Sequence, residues 1–303
     1  MHWIILFILL TGNLLAQINL TELGRFGGTG SAAGLFKNPS AIDIGEGGRI
    51  YICDRGNHRI QVFDLFGKFL TNFGGFGAGA EKFDEPLDIW ARSTINIYIA
   101  DYNNQRVQRY NKDHVYISSL RSNPGEDEQF QFERVLSAAY SPQGEMFILD
   151  ESEYKVIKIN PQNKGERAFA YYESGAGELT TPVQIDLTSN HRVVVSDAGM
   201  RTVNYYDYFG NFMLMIEHPD MKYPGGIALD DENRLYVADS EAECIFIFSP
   251  DHSFIGTITE VGGIPLYRPT DVALHQKDNE YHMYIIDLNE IIITKLNFNQ
   301  AGE

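Results

Sequence analysis

Carboxylates are the first residues in this 303-residue chain that could do chemistry, because they recur. Asp54, Asp101, Asp150, Asp197, Asp239 and Asp287 follow one another at intervals of 47, 49, 47, 42 and 48 residues. A ring of six carboxylates could hold a cation, but a residue present in every repeat answers a need of every repeat. Aspartate accepts hydrogen bonds from backbone N–H groups two residues further on, so each of the six is expected to stabilise the turn that follows it. Arg59, Arg106 and Lys155 share one place in the first three repeats and are expected to make turn or inter-repeat contacts.

A second set of positions varies from repeat to repeat, and variation is where a site can be built. Fifteen residues before the repeat Asp stands a proline in four repeats (Pro39, Pro86, Pro182, Pro224); Val135 takes that place in the third, and Pro269 stands 18 before Asp287 in the last. Two residues after this position the column reads Ala41, Asp88, Ser137, Gln184, Gly226 and Asp271. Two carboxylates, an amide and a hydroxyl are donors that hard cations take, which makes calcium the candidate ion and Asp88 and Asp271 its candidate ligands, although a full calcium shell needs 6 to 8 oxygens. The same four residues could receive a cationic or hydroxyl-rich ligand. Like charges in a confined polar space raise a carboxylate pKa unless a cation or donor is supplied, and such pairs mark candidate sites. The structural alternative is that each Asp bonds N–H groups of its own or the next repeat.

Other chemistries find less support. Catalytic zinc needs three ligands converging on one open position, but His58, His114, His191, His218, His252, His275 and His282 occupy turns, loops and strand ends at unmatched places, so no zinc is expected. The glycine-rich FGGFGAGA from Phe73 is followed by no helix and cannot cradle a nucleotide phosphate. No Ser-His-Asp arrangement is visible. Cys53 and Cys244 fall in the first and fifth repeats and are expected to be buried free thiols.

The elements that position these residues are strands. Six 15-residue windows align without gaps, from IYICDRGNHRIQVFD at Ile50 to MYIIDLNEIIITKLN at Met283. Each has a β-rich apolar run into the Asp, a polar turn, and a β-branched residue opening a second run, which reads as strand, turn, strand. The short run after the proline position supplies an inner strand, since a strand's first residue can lack its N–H. GKFLTNFGG from Gly67 and GNFMLMIE from Gly210 supply a fourth strand, and four strands per repeat at this period make propeller blades. The last window leaves no residues for its own fourth strand, while INLTELGRFGG from Ile18 reads as a fourth strand with no blade before it. Phe26 lies 10 residues before Phe36 and 13 before Pro39, as Phe73 lies 10 before Phe83 and 13 before Pro86. The expectation is an all-β, six-bladed β-propeller of four-stranded antiparallel blades, closed by the N-terminal strand completing the last blade. Its blades fall near 36–75, 83–122, 132–171, 179–217, 223–259 and 266–298, with strand 18–28 closing the sixth, as one domain over residues 17–303.

The pattern of a proline-led strand, IYICDRGNHRIQVFD, GKFL and FGGFG resembles the NHL repeat. That resemblance implies a fold-stabilising role for the six repeat aspartates. Propellers of this kind include zinc lyases with histidine ligands and streptogramin-type lyases with a histidine base, and lactonase-like propellers hold calcium in the funnel. Fold does not decide among them.

Charge and composition narrow the partners. Lys and Arg total 24 against 41 Asp and Glu, a net charge of −17 that repels phosphate backbones, so nucleic acid is not an expected partner. Residues 1–16 carry an apolar run from Trp3 to Leu10, a polar break and a small Ala16, which resembles a cleaved signal peptide and implies a secreted or periplasmic protein. The run is shorter than the ~20 residues of a spanning helix, and no membrane span is expected afterwards. The reading that follows is a monomeric binding or scaffold module for a protein, peptide or glycan, acting through the loop face and central channel. The alternative is a metal-dependent lyase or lactonase-like hydrolase in the funnel.

Overall fold

The computed structural model describes residues 17–172, 174–277 and 280–299; the apolar segment 1–16 lies outside them. Six four-stranded antiparallel sheets account for the architecture. Blade 1 runs through Pro39–Gly45, Arg49–Asp54, Arg59–Asp64 and Phe69–Gly74, and blades 2 to 5 repeat that order from Pro86, Val135, Pro182 and Pro224. Blade 6 takes three strands from the C-terminal end, Pro269–Lys277, Glu280–Asp287 and Glu290–Asn299, and its fourth from Gln17–Gly27. The inner strands of successive blades touch, and that of blade 6 touches that of blade 1, so the ring is closed. No helix among the described residues is long and apolar enough to cross a membrane.

Burial explains the residue choice along each strand. The second and third strands of a blade lie between two neighbouring blades and are buried on both faces, as in Val193–Asp197 and Thr202–Tyr206. They read as continuous apolar runs for that reason. The fourth strand lies at the circumference and alternates, as Phe212–Glu217 does. Six hydrophobic clusters result, one at each blade interface. A large apolar residue three before the inner strand plugs each interface: Phe36, Phe83, Phe132, Leu179, Met221 and Leu266, all buried. Gly27 and Gly74 make room for two of these plugs. Each has a positive φ, and a Cβ there would lie 2.8 Å from Phe36 or 2.4 Å from Phe83. The N-terminal strand thus meets blade 1 as the fourth strand of blade 1 meets blade 2. Cys53 and Cys244 are buried and free.

The six repeat aspartates do more than hold the turn after them. Each ends the second strand opposite the proline position, as in Asp54 with Pro39 and Asp239 with Pro224. From there its carboxylate accepts the N–H of the residue two before the inner strand: Lys37, Asp84, Glu133, Thr180, Lys222 and Tyr267 in turn. In blades 4 and 5 the carboxylate also accepts N–H groups of the following turn, from Gly199 and Met200 and from Glu241 and Ala242. In blades 1 and 2 side chains take over that part. Asn57, Arg59 and Gln61 bond Asp54, and Asn104, Arg106 and Gln108 bond Asp101. Arg59 and Arg106 also donate to carbonyls of the loop before the inner strand, which ties each turn to the preceding blade.

Two outcomes follow. Deleting Ile18 to Gly27 removes the fourth strand of blade 6 and leaves the edge of Glu290–Asn299 unpaired, and the shortened chain is expected to be insoluble or to melt at least about 10 °C lower by circular dichroism; an unchanged melting temperature would refute closure by this strand. Asp101→Ala leaves the buried Arg106 guanidinium without its counter-charge, a change expected to cost about 3–5 kcal/mol in urea unfolding.

Candidate functional site at the propeller axis

In every blade the ladder between first and second strands slips at the variable column, for example between Pro39 and Ala41, Pro86 and Asp88, and Pro269 and Asp271. A bulge re-aims the side chain at the irregularity, and here the column residues meet one another across the axis. Gln184 Nε2 of blade 4 donates to Asp88 Oδ1 of blade 2 at 3.1 Å and to Asp271 Oδ2 of blade 6 at 3.4 Å. Ser137 Oγ of blade 3 donates to Asp88 Oδ2 at 2.5 Å. The four residues singled out from the sequence therefore form one cluster.

The cluster also has a structural logic. A column side chain accepts the N–H of the residue one past the column in the next blade: Ser137 from Ile185, Gln184 from Ile227, Asp271 from Ile42. Ala41 and Gly226 have no acceptor to offer. In the blades after them the aspartate bonds its own neighbour instead, Asp88 to Ile89 N–H and Asp271 to Val272 N–H. Gly226 is also small because Asp271 is there, since a Cβ would fall 2.0 Å from Asp271 Oδ1.

Above the cluster a cavity of about 690 Å³ opens to the face that carries the inter-blade loops and the turns between second and third strands. Asp88 and Gln184 line its inner part, and Leu87, Leu136 and Val183 form an apolar collar on three successive blades. Asp271 does not line the cavity: it is 1% exposed and lies behind Gly226. The column thus lies below the channel mouth, where the bulges turn it inwards beneath the loops. Leu288 lines the cavity, and Phe76, Tyr172, Met200 and Tyr267 are exposed on loops and turns of the same face.

The opposite end of the axis is bridged by residues that the sequence reading missed. Arg92, just past the inner strand of blade 2, donates through Nε to Asp43 of blade 1 at 3.1 Å and through Nη1 to Asp186 of blade 4 at 2.9 Å. A signal was present: two residues beyond the column, on the same side of each inner strand, stand Asp43 and Asp186. These two buried carboxylates share a guanidinium. Among the described residues no ion pair reaches Asp88 or Asp271.

Electrostatics follow from that difference. Burial raises the Asp88 carboxyl to about 6, opposed by its bonds to Ser137 and Gln184. Asp271 is held well above the usual carboxylate range, by burial first and by the charge of Asp88 second, with Asp43 adding to it. A calcium shell does not fit. The Gln184 amide oxygen is committed to Ile227 N–H at 2.5 Å, which turns its NH2 towards the carboxylates, and the Ser137 hydroxyl is spent on Asp88. Among the described residues no group of three or more His, Cys, Asp or Glu could hold a metal ion. The geometry offers instead an apolar collar over a negative floor.

Both carboxyls have folded pKa values above their unfolded ones, so the folded chain holds extra protons between pH ~4 and pH ~6 or higher, and stability falls as pH rises through that window. Asp88→Asn removes the charge and keeps an acceptor. It is expected to leave stability unchanged at pH 4 and to raise it by up to about 3 kcal/mol at pH 8, read from urea unfolding at the two pH values. A loss of stability at pH 8 would refute this account of the floor.

Comparison with known proteins agrees with the architecture. The NHL repeat family matches residues 36–63 and 221–248, each running from the plug residue to the end of the third strand, in blades 1 and 5. The E3 ubiquitin-protein ligase NHLRC1 of Homo sapiens is 28% identical over 110 residues, which cover 32% of this chain and 28% of the ligase. The match therefore spans less than a third of that relative. A catalytically inactive histidine-to-alanine variant of virginiamycin B lyase from Staphylococcus aureus, solved with quinupristin, superimposes with a TM-score of 0.61 at 13% identity, over 93% of this chain and 100% of the lyase. A protein of unknown function from Bacteroides thetaiotaomicron gives 0.70 at 13% identity, over 94% of this chain and 76% of that one. At such identity the structures share the fold alone. With six four-stranded blades closed in a ring and two repeats matched in one register, the chain is a six-bladed β-propeller that carries NHL repeats in blades 1 and 5.

Proposed function

We propose that this propeller is a binding module for a protein or peptide partner, engaged through the loop face and the cavity at its centre. The observation that carries the reading is the cavity: about 690 Å³, open on the loop face and collared by apolar side chains, on a face whose loops also expose aromatic residues. Binding residues concentrate on loops held by a rigid scaffold, and the aromatic residues here are held by loops whose backbone N–H groups the repeat aspartates clamp. The relative named a ubiquitin-protein ligase supports a polypeptide partner. A lyase reading lacks its residue. The virginiamycin B lyase that shares this fold is inactive when one histidine is replaced by alanine, and among the described residues no histidine lines this cavity. The signal-like composition of residues 1–16 supports placing the module outside the cytoplasm.

The test compares two faces of one protein. Phe76→Ser, Tyr172→Ser and Tyr267→Ser together alter the loop face, and Phe66→Ser with Phe209→Ser alters the opposite face, where those rings are 89% and 69% exposed. In affinity capture from an extract of the source cells, a partner is expected to be retained by the wild type and the opposite-face variant and lost by the loop-face variant. Equal retention by all three, or loss only with the opposite-face variant, would overturn the reading.

A further inference from the structure

We infer that the axial cavity receives a lysine or arginine side chain of the partner polypeptide. This rests on the binding-module reading and narrows it to one ligand chemistry.

The first observation is charge without a counter-charge. Of the other buried aspartates, Asp54, Asp101, Asp230, Asp43 and Asp186 pair with a cation, while Asp150, Asp197, Asp239 and Asp287 are enclosed by N–H groups of the loops they clamp. Asp88 and Asp271 have only neutral donors, Gln184, Ser137 and backbone N–H groups. Neutral donors orient a carboxylate but do not cancel its field in a confined space of low dielectric. Asp88 contributes direct contact because it lines the cavity, and Asp271 lies behind Gly226.

The second observation is shape and polarity, independent of charge. Leu87, Leu136 and Val183 line one side of the cavity on three successive blades, above the carboxylate. A basic side chain has the matching order of parts, an apolar stem that packs on such a collar and a charged head that needs a polar end. On the facing wall Thr270 lines the cavity, with its Oγ1 buried just behind and without a hydrogen-bond partner. At the far end of the axis one guanidinium, Arg92, is shared by two carboxylates. A basic side chain entering from the loop face passes the cavity-lining Arg55, Glu151, Glu241 and Arg268 and reaches Asp88, a buried carboxylate that lines the cavity and has only neutral donors.

The experiment pans a displayed library of random 12-residue peptides against the full-length chain. An enriched peptide is then titrated beside its Nε-acetyl-lysine or citrulline counterpart. The expected result is a Lys or Arg at one fixed position of the enriched peptides. Neutralising that side chain, or replacing Asp88 and Asp271 together by Asn, should weaken binding at least about tenfold, as should raising the salt. Leu136→Trp, which fills the cavity and leaves the carboxylates in place, should weaken binding as much. Enriched peptides with no fixed basic residue, or affinities within about twofold across the neutralised peptide and the Asn variant, would overturn the inference, and so would the absence of any enriched peptide. None of these results bears on the face comparison above, which fails only if loop-face substitutions leave capture of the partner unchanged.

Discussion

Each blade depends on a buried carboxylate that fastens the loop arriving from the preceding blade. The aspartate at the end of the second strand sits opposite the first residue of the inner strand and takes the N–H of the residue two before it, from Lys37 in blade 1 to Tyr267 in blade 6. A buried N–H left unpaired costs about 1–3 kcal/mol, and here the loss would fall where the chain passes from the circumference to the axis. The clamp fixes the plug residue just before it, so that Phe36, Phe83, Phe132, Leu179, Met221 and Leu266 fill the six interfaces. Local hydrogen bonding and inter-blade packing are thus one device repeated.

The axis obeys a second rule, and the exceptions to it make the site. Column side chains in blades 3, 4 and 6 satisfy the N–H of the next inner strand. Where Ala41 and Gly226 break the series, the Asp88 and Asp271 carboxyls accept the N–H of the residue that follows each, Ile89 and Val272, and in doing so stand as two buried acidic groups beside the axis. A repair with serine or asparagine would meet the hydrogen-bonding need at no electrostatic cost. The choice of aspartate at both places adds a field that the scaffold alone does not require.

The two ends of the axis answer burial of charge in different ways. Below, Arg92 joins Asp43 and Asp186, and the carboxylates become a tie between blades 1, 2 and 4. Above, Asp88 is left facing a cavity with an apolar collar. A scaffold that pairs one set internally and leaves the other open separates the part of the axis that holds the ring from the part that can meet a partner.

Periodicity made the fold legible from the amino-acid sequence. The spacing of Asp54 to Asp287, the alternation of strands, and the Phe26–Phe36 interval that repeats as Phe73–Phe83 specify four strands per blade, six blades and a closing N-terminal strand, because every one of these features lies within about 50 residues of its partner pattern or repeats at that period. The column Ala41, Asp88, Ser137, Gln184, Gly226 and Asp271 was legible for the same reason. What these residues do to one another was decided only by the tertiary structure. Gln184 meets Asp88 and Asp271 across separations of 96 and 87 residues, its amide is turned by Ile227 of the next blade, and Asp271 is set behind Gly226. The calcium expectation failed at that point, since donor type can be read from a sequence but the direction of an amide cannot. Arg92 was missed because its partners lie on other blades, brought within reach only when the ring closes and inner strands far apart in the chain meet at one axis.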